Sequence, residues 1–327
     1  MERHPVWLLE DALPPSTLAQ ALAPDLATRA PTLVSWLQSG TCHRLSLPPH
    51  ATGCTPAQAW RLQQAGYQPP EGGLLAAAWP ALWHAANPPD ADRIWWALPC
   101  HLRVTQHGVT LIDPQQLHLP PDDADALHQA IAADLRDAGL TVTTTQTAAA
   151  PSAGPTWQWR LPEDWNPQAP TPECLVGHDI QHTWSQDPSA RPWRRLLNLI
   201  QMVWHDHPVN QRRDAAGLPV INSVWLFGGA RETDLPRRTD ALAVTHRTDW
   251  SAALKTGDWS RWLQAWHAFE HQQLRPCHEA GRRQALPHLI LTGHDHCLSL
   301  QPVRPRGLAR LWPTPRRDWR ARLFGTP

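Results

Sequence analysis

The chain has 327 residues, with 29 basic and 29 acidic side chains and a formal net charge of zero. This length permits one large domain or two ordinary ones, and the charge balance excludes the broad basic surface typical of proteins that coat nucleic acid or anionic membranes. Lys255 is the only lysine, whereas there are 20 tryptophans and 35 prolines. This bias is typical of a GC-rich coding sequence, so we expect many tryptophans to fill ordinary core positions.

The N-terminal residues contain only a short apolar run, Val6 to Leu9, which is too short for the apolar core of a signal peptide. No segment approaches the roughly 18 apolar residues that a membrane-spanning helix needs. The six cysteines are widely spaced without a Cys-x-x-Cys pair, which indicates reduced thiols. We therefore expect a cytoplasmic protein without a membrane or nucleic-acid partner, and a protein partner remains open.

The N-terminal part alternates a strand with helices. Val6 to Leu9 predicts a short strand that two acids follow, and residues 18–37 carry helical patterns that Pro24 and Pro31 are expected to interrupt. Thr55-Pro56 predicts a helix start, because threonine caps well and proline suits the first helical position. That helix is expected to end at Gly66.

The middle of the chain predicts a strand, a hairpin and a helix. The strands are expected at residues 94–98, 102–105 and 109–112. A helix is predicted from Asp122 to Gly139, with Asp122 or Asp123 as its cap, because apolar residues recur at a spacing of four. A strand at 140–145 follows, and the Ala/Pro/Ser-rich loop at 148–155 is a candidate boundary between two lobes. One domain over residues 1–327 is the alternative.

The second half continues the alternation of strands and helices. Helices are predicted at 193–205 and 259–269, and strands at 157–161, 221–227, 287–292 and 297–303. The glycine pair Gly228-Gly229 is expected to end the strand at 221–227 in a turn. This order predicts an α/β fold with a mixed central sheet flanked by helices.

The most distinctive segment runs from His207 to Gly229. It resembles a stretch of a proteobacterial family described as phosphoglycerate-mutase-like, the regulatory proteins of the pathogenicity-factor regulation type E. Residues 98–101, 113–119 and 196–202 resemble the same family, so the resemblance covers most of residues 94–230. The family is similar in part to archaeal-type cofactor-independent phosphoglycerate mutases. The resemblance implies a bacterial, cytoplasmic protein with an alkaline-phosphatase-like fold.

The same segment predicts an anion site. Its candidate residues are Arg212, Arg213, Asn222, Ser223, Gly228 and Gly229. The two guanidinium groups offer forked donors for phosphate, the asparagine and serine offer neutral hydrogen bonds, and the glycines allow backbone amides to approach a ligand. The alternative is structural: the arginines lie in a solvated loop, and the asparagine caps a buried strand.

A working mutase of the resembled class uses a serine or threonine nucleophile beside two divalent metal ions. The resemblance implies a metal set of Asp11, His294, Asp295 and His296, with Mn or Zn as the ion. The match departs from the family pattern, because the first acid precedes no glycine and the late turn reads His-Asp-His-Cys. Thr52, Cys54 and Thr55 lie in the nucleophile region without its flanking residues, so the catalytic residues stay unassigned.

Further features that could bind ligands are better explained by structural roles. His205 and His207 form a His-x-His pair like the one in the late turn, but they end a helix, where a metal site is disfavoured because the two side chains diverge. The aromatic stripe at 259–269 and the basic tail at 304–322 are expected to serve core packing and solvation.

Two functions therefore remain open. The first is a phosphoglycerate-mutase-like protein that handles a phosphorylated small molecule, as a metal-dependent phosphomutase or a phosphatase-like phosphotransferase. The second is a non-catalytic regulatory or protein-interaction protein on a degenerate phosphomutase-like fold. The meeting of the first-strand acid, the late turn and a hydroxyl at one place would favour the enzyme.

Overall fold

The computed structural model describes residues 4–84, 92–106, 108–144, 154–180, 183, 190–280, 285–303 and 317–325. The chain forms two compact units. Unit 1 comprises residues 1–49, 55–61 and 239–327, and unit 2 comprises residues 50–54 and 62–238. Most of the loop predicted at 148–155 lies outside the described residues, and its role as a boundary stays a prediction.

Unit 1 is built on a mixed sheet. Its strands are β1 (Val6–Leu9), β2 (Thr41–Ser46), β9 (Thr245–Arg247), β10 (His288–Thr292) and β11 (His296–Gln301). They are arranged in the order β2-β11-β10-β1-β9. Strand β1 is parallel to both of its neighbours, β10 and β9, whereas β11 is antiparallel to β10 and to β2. The predicted mixed sheet of an α/β protein is thus present in this unit.

Helices supply the rest of the unit 1 core. They are α1 (Ala19–Arg29), α2 (Pro31–Ser39), α11 (Ser251–Thr256), α12 (Trp259–Phe269), a π-helical turn (Glu270–Leu274), α13 (Arg275–Glu279) and α14 (Trp319–Phe324). The aromatic stripe of α12 is core, as predicted, with Trp262 and Trp266 fully buried. The expected break at Pro24 is wrong, because α1 continues through it. Pro31 does start a helix, at a position where its missing N–H costs nothing.

Unit 2 has an antiparallel sheet and a separate hairpin. The sheet order is β6 (Thr141–Thr144), β7 (Trp157–Arg160), β3 (Ile94–Cys100) and β8 (Ser223–Ala230), and the hairpin pairs β4 (Leu102–Thr105) with β5 (Gly108–Leu111). Its helices are α5 (Trp79–Trp83), α6 (Pro114–Leu117), α7 (Pro121–Asp137), α8 (Arg191–His205) and α9 (Pro208–Ala215). The division between units falls in the short helices α3 (Pro49–Thr52) and α10 (Arg238–Leu242) and within α4 (Pro56–Gln64).

Tryptophans fill the unit 2 core, as composition predicts. Trp157 and Trp159 on β7 are fully buried and stack with their rings 6.1 Å apart. Trp204 of α8 meets Trp157 edge-on and donates its indole N–H to the carbonyl of Leu127 on α7 at 2.9 Å. Large aromatic rings bury much apolar area with few rotatable bonds, so this cluster joins β7 to the two helices.

The N-terminal caps of α4 and α7 compare differently with the sequence predictions. Thr55 caps α4 as expected, since its hydroxyl accepts from the Gln58 amide while the Gln58 side chain accepts from the Thr55 amide. The predicted aspartate cap of α7 is wrong. That helix begins at Pro121, one or two residues before the predicted caps, and the acids lie within its first turn, where they complement the helix dipole.

No described helix is long and apolar enough to span a bilayer.

Candidate functional site

Three strands of unit 1 end at the same edge of the sheet. Because β1 is parallel to β9 and β10, the residues that follow all three strands meet there. Glu10 and Asp11 follow β1, Arg247 ends β9, and Thr292 ends β10. Open α/β sheets bind ligands outside the carboxyl ends of their strands. We call this place the carboxyl edge.

Asp11 has an unusual backbone at the carboxyl edge. Its φ angle is 59°, in the left-handed region that non-glycine residues seldom occupy. The Asp11 amide donates to the Thr292 hydroxyl at 3.1 Å, and its carbonyl accepts from the Trp262 indole N–H at 3.0 Å. Both main-chain groups are thus fixed from other elements, which holds the side chain in place against the local conformational preference.

The surroundings of the Asp11 carboxyl disfavour its ionised form. Its pKa is raised from 3.8 to about 6, first because the group is buried and second because Glu10 lies nearby. Ser251, Lys255 and His246 oppose this rise and lower the pKa. Within the described residues, the buried Ser251 oxygen forms no hydrogen bond of standard geometry, but it lies close enough to Asp11 to act on that carboxyl.

Basic groups surround the neighbouring acid. Glu10 pairs with His246 of β9, with 2.8 Å between Oε2 and Nε2. Arg61 of α4 is buried and donates to the carbonyl of Ala241 at 3.2 Å. Burial lowers the pKa of Arg61 to about 10, while the charge of Glu10 raises it. The carboxyl edge therefore combines the acids Glu10 and Asp11 with basic side chains from β9, α4 and α11.

The late turn lies between β10 and β11 and keeps its own pairings. The Gly293 amide donates to the His296 carbonyl at 2.9 Å and closes the turn. Asp295 Oδ1 lies 2.6 Å from His296 Nδ1, and this hydrogen bond lowers the pKa of Asp295. The pKa of His296 is lowered mainly by burial, against the opposing effect of Asp295. His294 and Asp295 are exposed.

The predicted metal set is therefore only partly brought together. The Asp11 amide bonds the hydroxyl of Thr292, which directly precedes the late turn. The side chains have different partners, because Asp11 interacts with Glu10 and Ser251 while Asp295 interacts with His296. Among the described residues, no three His, Cys, Asp or Glu side chains are grouped so that they could hold a metal ion. The side chains as they lie do not fit a two-metal centre, and the metal assignment stays a prediction.

The predicted anion set lies in unit 2, and two of its polar members bond to the main chain. Arg213 is 4% exposed and donates to the carbonyls of Pro219 at 2.8 Å and Leu117 at 2.6 Å. The Asn222 side-chain oxygen accepts a hydrogen bond from the Leu102 amide at 2.8 Å, and the Asn222 side-chain nitrogen donates one to the Leu102 carbonyl at 2.9 Å. Arg213 therefore joins α9 to α6 and to the segment before β8, so it does not lie in the solvated loop of the structural alternative. Asn222 directly precedes the buried strand β8 and bonds β4, in agreement with that alternative.

The other members of the anion set do not gather into a site either. Arg212 pairs with Asp123 of α7 at 2.7 Å on the surface. Ser223 is fully buried beside Cys100, its partner across β3 and β8. The glycine pair does not end β8 in a turn, so that expectation is wrong. The strand runs on to Ala230, and a Cβ on Gly229 would lie 2.7 Å from the Trp95 ring, which is why glycine is needed there.

The remaining candidates have structural roles. The Thr52 hydroxyl bonds both main-chain groups of Cys54 at 3.2 Å, and Cys54 itself is fully buried. His207 caps α9 by accepting from the Val209 amide, whereas His205 is exposed at the end of α8, so the two do not act as a pair.

Comparisons with known proteins give distant structural neighbours. A cofactor-independent phosphoglycerate mutase from Thermoplasma acidophilum DSM 1728 is 13% identical, with a TM-score of 0.38 over 91% of this chain and 89% of the mutase. The PH0037 protein from Pyrococcus horikoshii is 12% identical, with a TM-score of 0.46 over 93% of this chain and 88% of that protein. The similarity is weak. No family model matches the sequence, and no curated protein matches it.

Sequence reasoning missed His246, Ser251, Arg61 and the role of Lys255. His246 lies on a strand of only three residues, too short for a periodic pattern to reveal. Lys255 carried the one available signal, since it is the only lysine of the chain. The left-handed conformation of Asp11 depends on contacts from Thr292 and Trp262, which no local pattern encodes.

Proposed function

We propose that the protein is phosphomutase-like, with an alkaline-phosphatase-like fold, and handles a phosphorylated small molecule at the carboxyl edge of unit 1. The observation that carries the proposal is the state of Asp11. Its backbone is held at a φ of 59° by two hydrogen bonds, and the pKa of its carboxyl is raised to about 6. A fixed carboxyl that titrates near neutral pH suits proton transfer to or from a bound substrate.

The charges around Asp11 support an anionic ligand. His246 and Lys255 interact with Asp11, and Arg61 interacts with Glu10. A phosphate group accepts hydrogen bonds from basic side chains of this kind, and the lysine and arginine cations attract it electrostatically. Ser251 places a hydroxyl beside the Asp11 carboxyl, and a carboxylate in this position can accept a hydroxyl proton. In this proposal Asp11 accepts a proton, and the basic side chains bind the phosphate group.

Metal chemistry is not part of the proposed steps. Enzymes of the resembled class use two divalent ions to polarise the phosphoryl oxygens. Because Asp295 is paired with His296 and Asp11 lies with Glu10 and Ser251, the described side chains do not present a ligand set for such ions. Elemental analysis of the purified protein belongs in the test for this reason.

The second candidate is a non-catalytic regulatory or protein-interaction protein. The observation that favours it is the structural use of the distinctive segment at 207–229. Arg213 and Asn222 bond the main chain of neighbouring segments of unit 2, and the glycine pair accommodates the Trp95 ring. A fold of this ancestry that has lost its catalytic groups would keep such contacts.

The experiment measures interconversion of 3- and 2-phosphoglycerate and hydrolysis of a general phosphomonoester, with and without added Mn²⁺, by the wild type and two variants. Asp11→Asn removes the titrating group, and Asp25→Asn is the matched control, because Asp25 is an exposed aspartate of α1 in the same unit. We expect turnover by the wild type and the control and a loss of about 100-fold or more in Asp11→Asn. Absence of turnover in a metal-free wild type would reject the enzyme and favour the regulatory protein.

A further inference from the structure

Two exposed histidine rings lie in edge-to-face contact at the end of α12. His267 lies in the last turn of this helix and His271 in the π-helical turn that follows it. Their ring centroids are 4.4 Å apart, with an angle of 74° between the planes. Both side chains are exposed, in contrast to Phe269 and Glu270 between them, which are buried.

The spacing brings both imidazoles to one place. Residues four positions apart on a helix are neighbours on its surface, and a His-x-x-x-His pair on one helical face is an established arrangement for holding a divalent transition metal. The ring separation shows that the transition from α-helix to π-helix keeps these two side chains together. The pair belongs to unit 1 and shares no residue with the carboxyl edge.

We propose that His267 and His271 form a bidentate surface site for a divalent transition metal ion such as Cu²⁺, Ni²⁺ or Zn²⁺. Imidazole nitrogen suits these ions, whereas Mg²⁺ and Ca²⁺ require oxygen ligands. The protein supplies two ligands and water supplies the others. The site is independent of the proposed function, because neither histidine takes part in it.

Ion binding would link two segments of different helical geometry. The π-helical turn carries Glu270, which is fully buried and accepts the Thr32 amide at the start of α2 at 3.2 Å. An ion held between His267 and His271 binds only the folded arrangement, so it stabilises that junction by mass action. π-helical turns inside α-helices are frequent at functional sites.

The test is a calorimetric titration of the full chain with Cu²⁺ and Zn²⁺, and with Mg²⁺ as a negative control. Variants His267→Ala, His271→Ala and the double variant are compared with wild type, since the chain has 19 histidines in total and other weak sites will contribute. His50→Ala is the matched control, because His50 is also exposed on a helix. Circular dichroism and a conservative His271→Gln variant check that the fold is retained.

We expect each single variant to lose the same tightest site, with at least about tenfold weaker binding, because chelation depends on two ligands at high effective concentration. The double variant should lose no more than either single variant, and the Cu²⁺ affinity should exceed that for Zn²⁺. Titrations of the single variants that match the wild type would overturn the proposal. A loss that depends on only one of the two histidines would overturn it as well.

Discussion

Replacement of Glu270 by alanine tests how the core of unit 1 is organised. Glu270 is 0% exposed, and its Oε1 accepts the amide of Thr32, the second residue of α2. The residue that precedes this helix is Ala30, whose side chain offers no cap. The Glu270 carboxyl therefore acts as a remote cap for the first turn of α2.

The expected cost follows from the groups that are lost. A buried amide left without its acceptor costs about 1–3 kcal/mol, and the truncated side chain leaves a small cavity that costs about 1 kcal/mol more. Glu270 Oε2 is buried without a hydrogen-bond partner within the described residues, so removal of this polar atom offsets part of the sum. We expect Glu270→Ala to lower the free energy of unfolding by about 2–4 kcal/mol. Glu270→Gln keeps the acceptor and the shape and should cost about 1 kcal/mol.

The assay combines urea denaturation with hydrogen exchange measured by mass spectrometry, which locates the effect. Faster exchange should appear in residues 31–39, because the first turn of α2 loses its cap. Glu279→Ala is the matched control, since Glu279 is an exposed acid of α13. A change below about 0.5 kcal/mol in Glu270→Ala, or unchanged exchange in α2, would refute the capping argument.

Further predictions concern both units. The raised pKa of Asp11 means that the folded protein binds a proton more tightly than the unfolded chain, so stability falls as pH rises from about 4 to about 6. Asp11→Asn removes this dependence in urea titrations across pH and stabilises the protein by up to about 3 kcal/mol at pH 7, and a pH dependence equal to wild type would contradict the assignment. Gly229→Ala places a Cβ 2.7 Å from the Trp95 ring at a φ of 110° and should cost about 2–4 kcal/mol. Gly217→Ala, where the Cβ meets no atom within 4 Å, should cost about 1 kcal/mol in the same assay, and equal costs would refute the steric reason. Asn210→Ala breaks three buried hydrogen bonds to the main chain and should cost about 3 kcal/mol or more by chemical denaturation, so a neutral result would be inconsistent with those bonds.

Much of the fold could be predicted because the signals were local. The helices α7, α8 and α12 carry apolar stripes that periodicity reveals. The capping box at the start of α4 involves only residues within a four-residue stretch, so it too can be predicted locally. Local preference predicts interruptions at Pro24 and at the glycine pair of β8, yet α1 continues through the exposed Pro24 and β8 continues through the glycines. Gly229 is the clearest example, since the Trp95 ring occupies the space of a side chain.

The candidate site was predicted only in part. The position of Asp11 after the first strand and of the late turn after β10 could be predicted, because parallel strands place their ends at one edge. The side-chain partners could not, since Asp11 is surrounded by Ser251, Lys255 and His246 from segments that lie more than two hundred residues away. The anion set in unit 2 illustrates the converse, because residues with suitable chemistry such as Arg213 serve loop structure instead.

The central claim is that the Asp11 carboxyl exchanges a proton with a phosphorylated substrate. The most direct measurement is the pH dependence of kcat/KM for phosphoglycerate interconversion by the wild type and Asp11→Asn. Activity in the wild type should rise through a pH near 6, where the carboxyl ionises, and the variant should lose both that rise and about 100-fold in rate. A wild type without turnover, or a variant with the same rate and the same pH profile as wild type, would contradict the account.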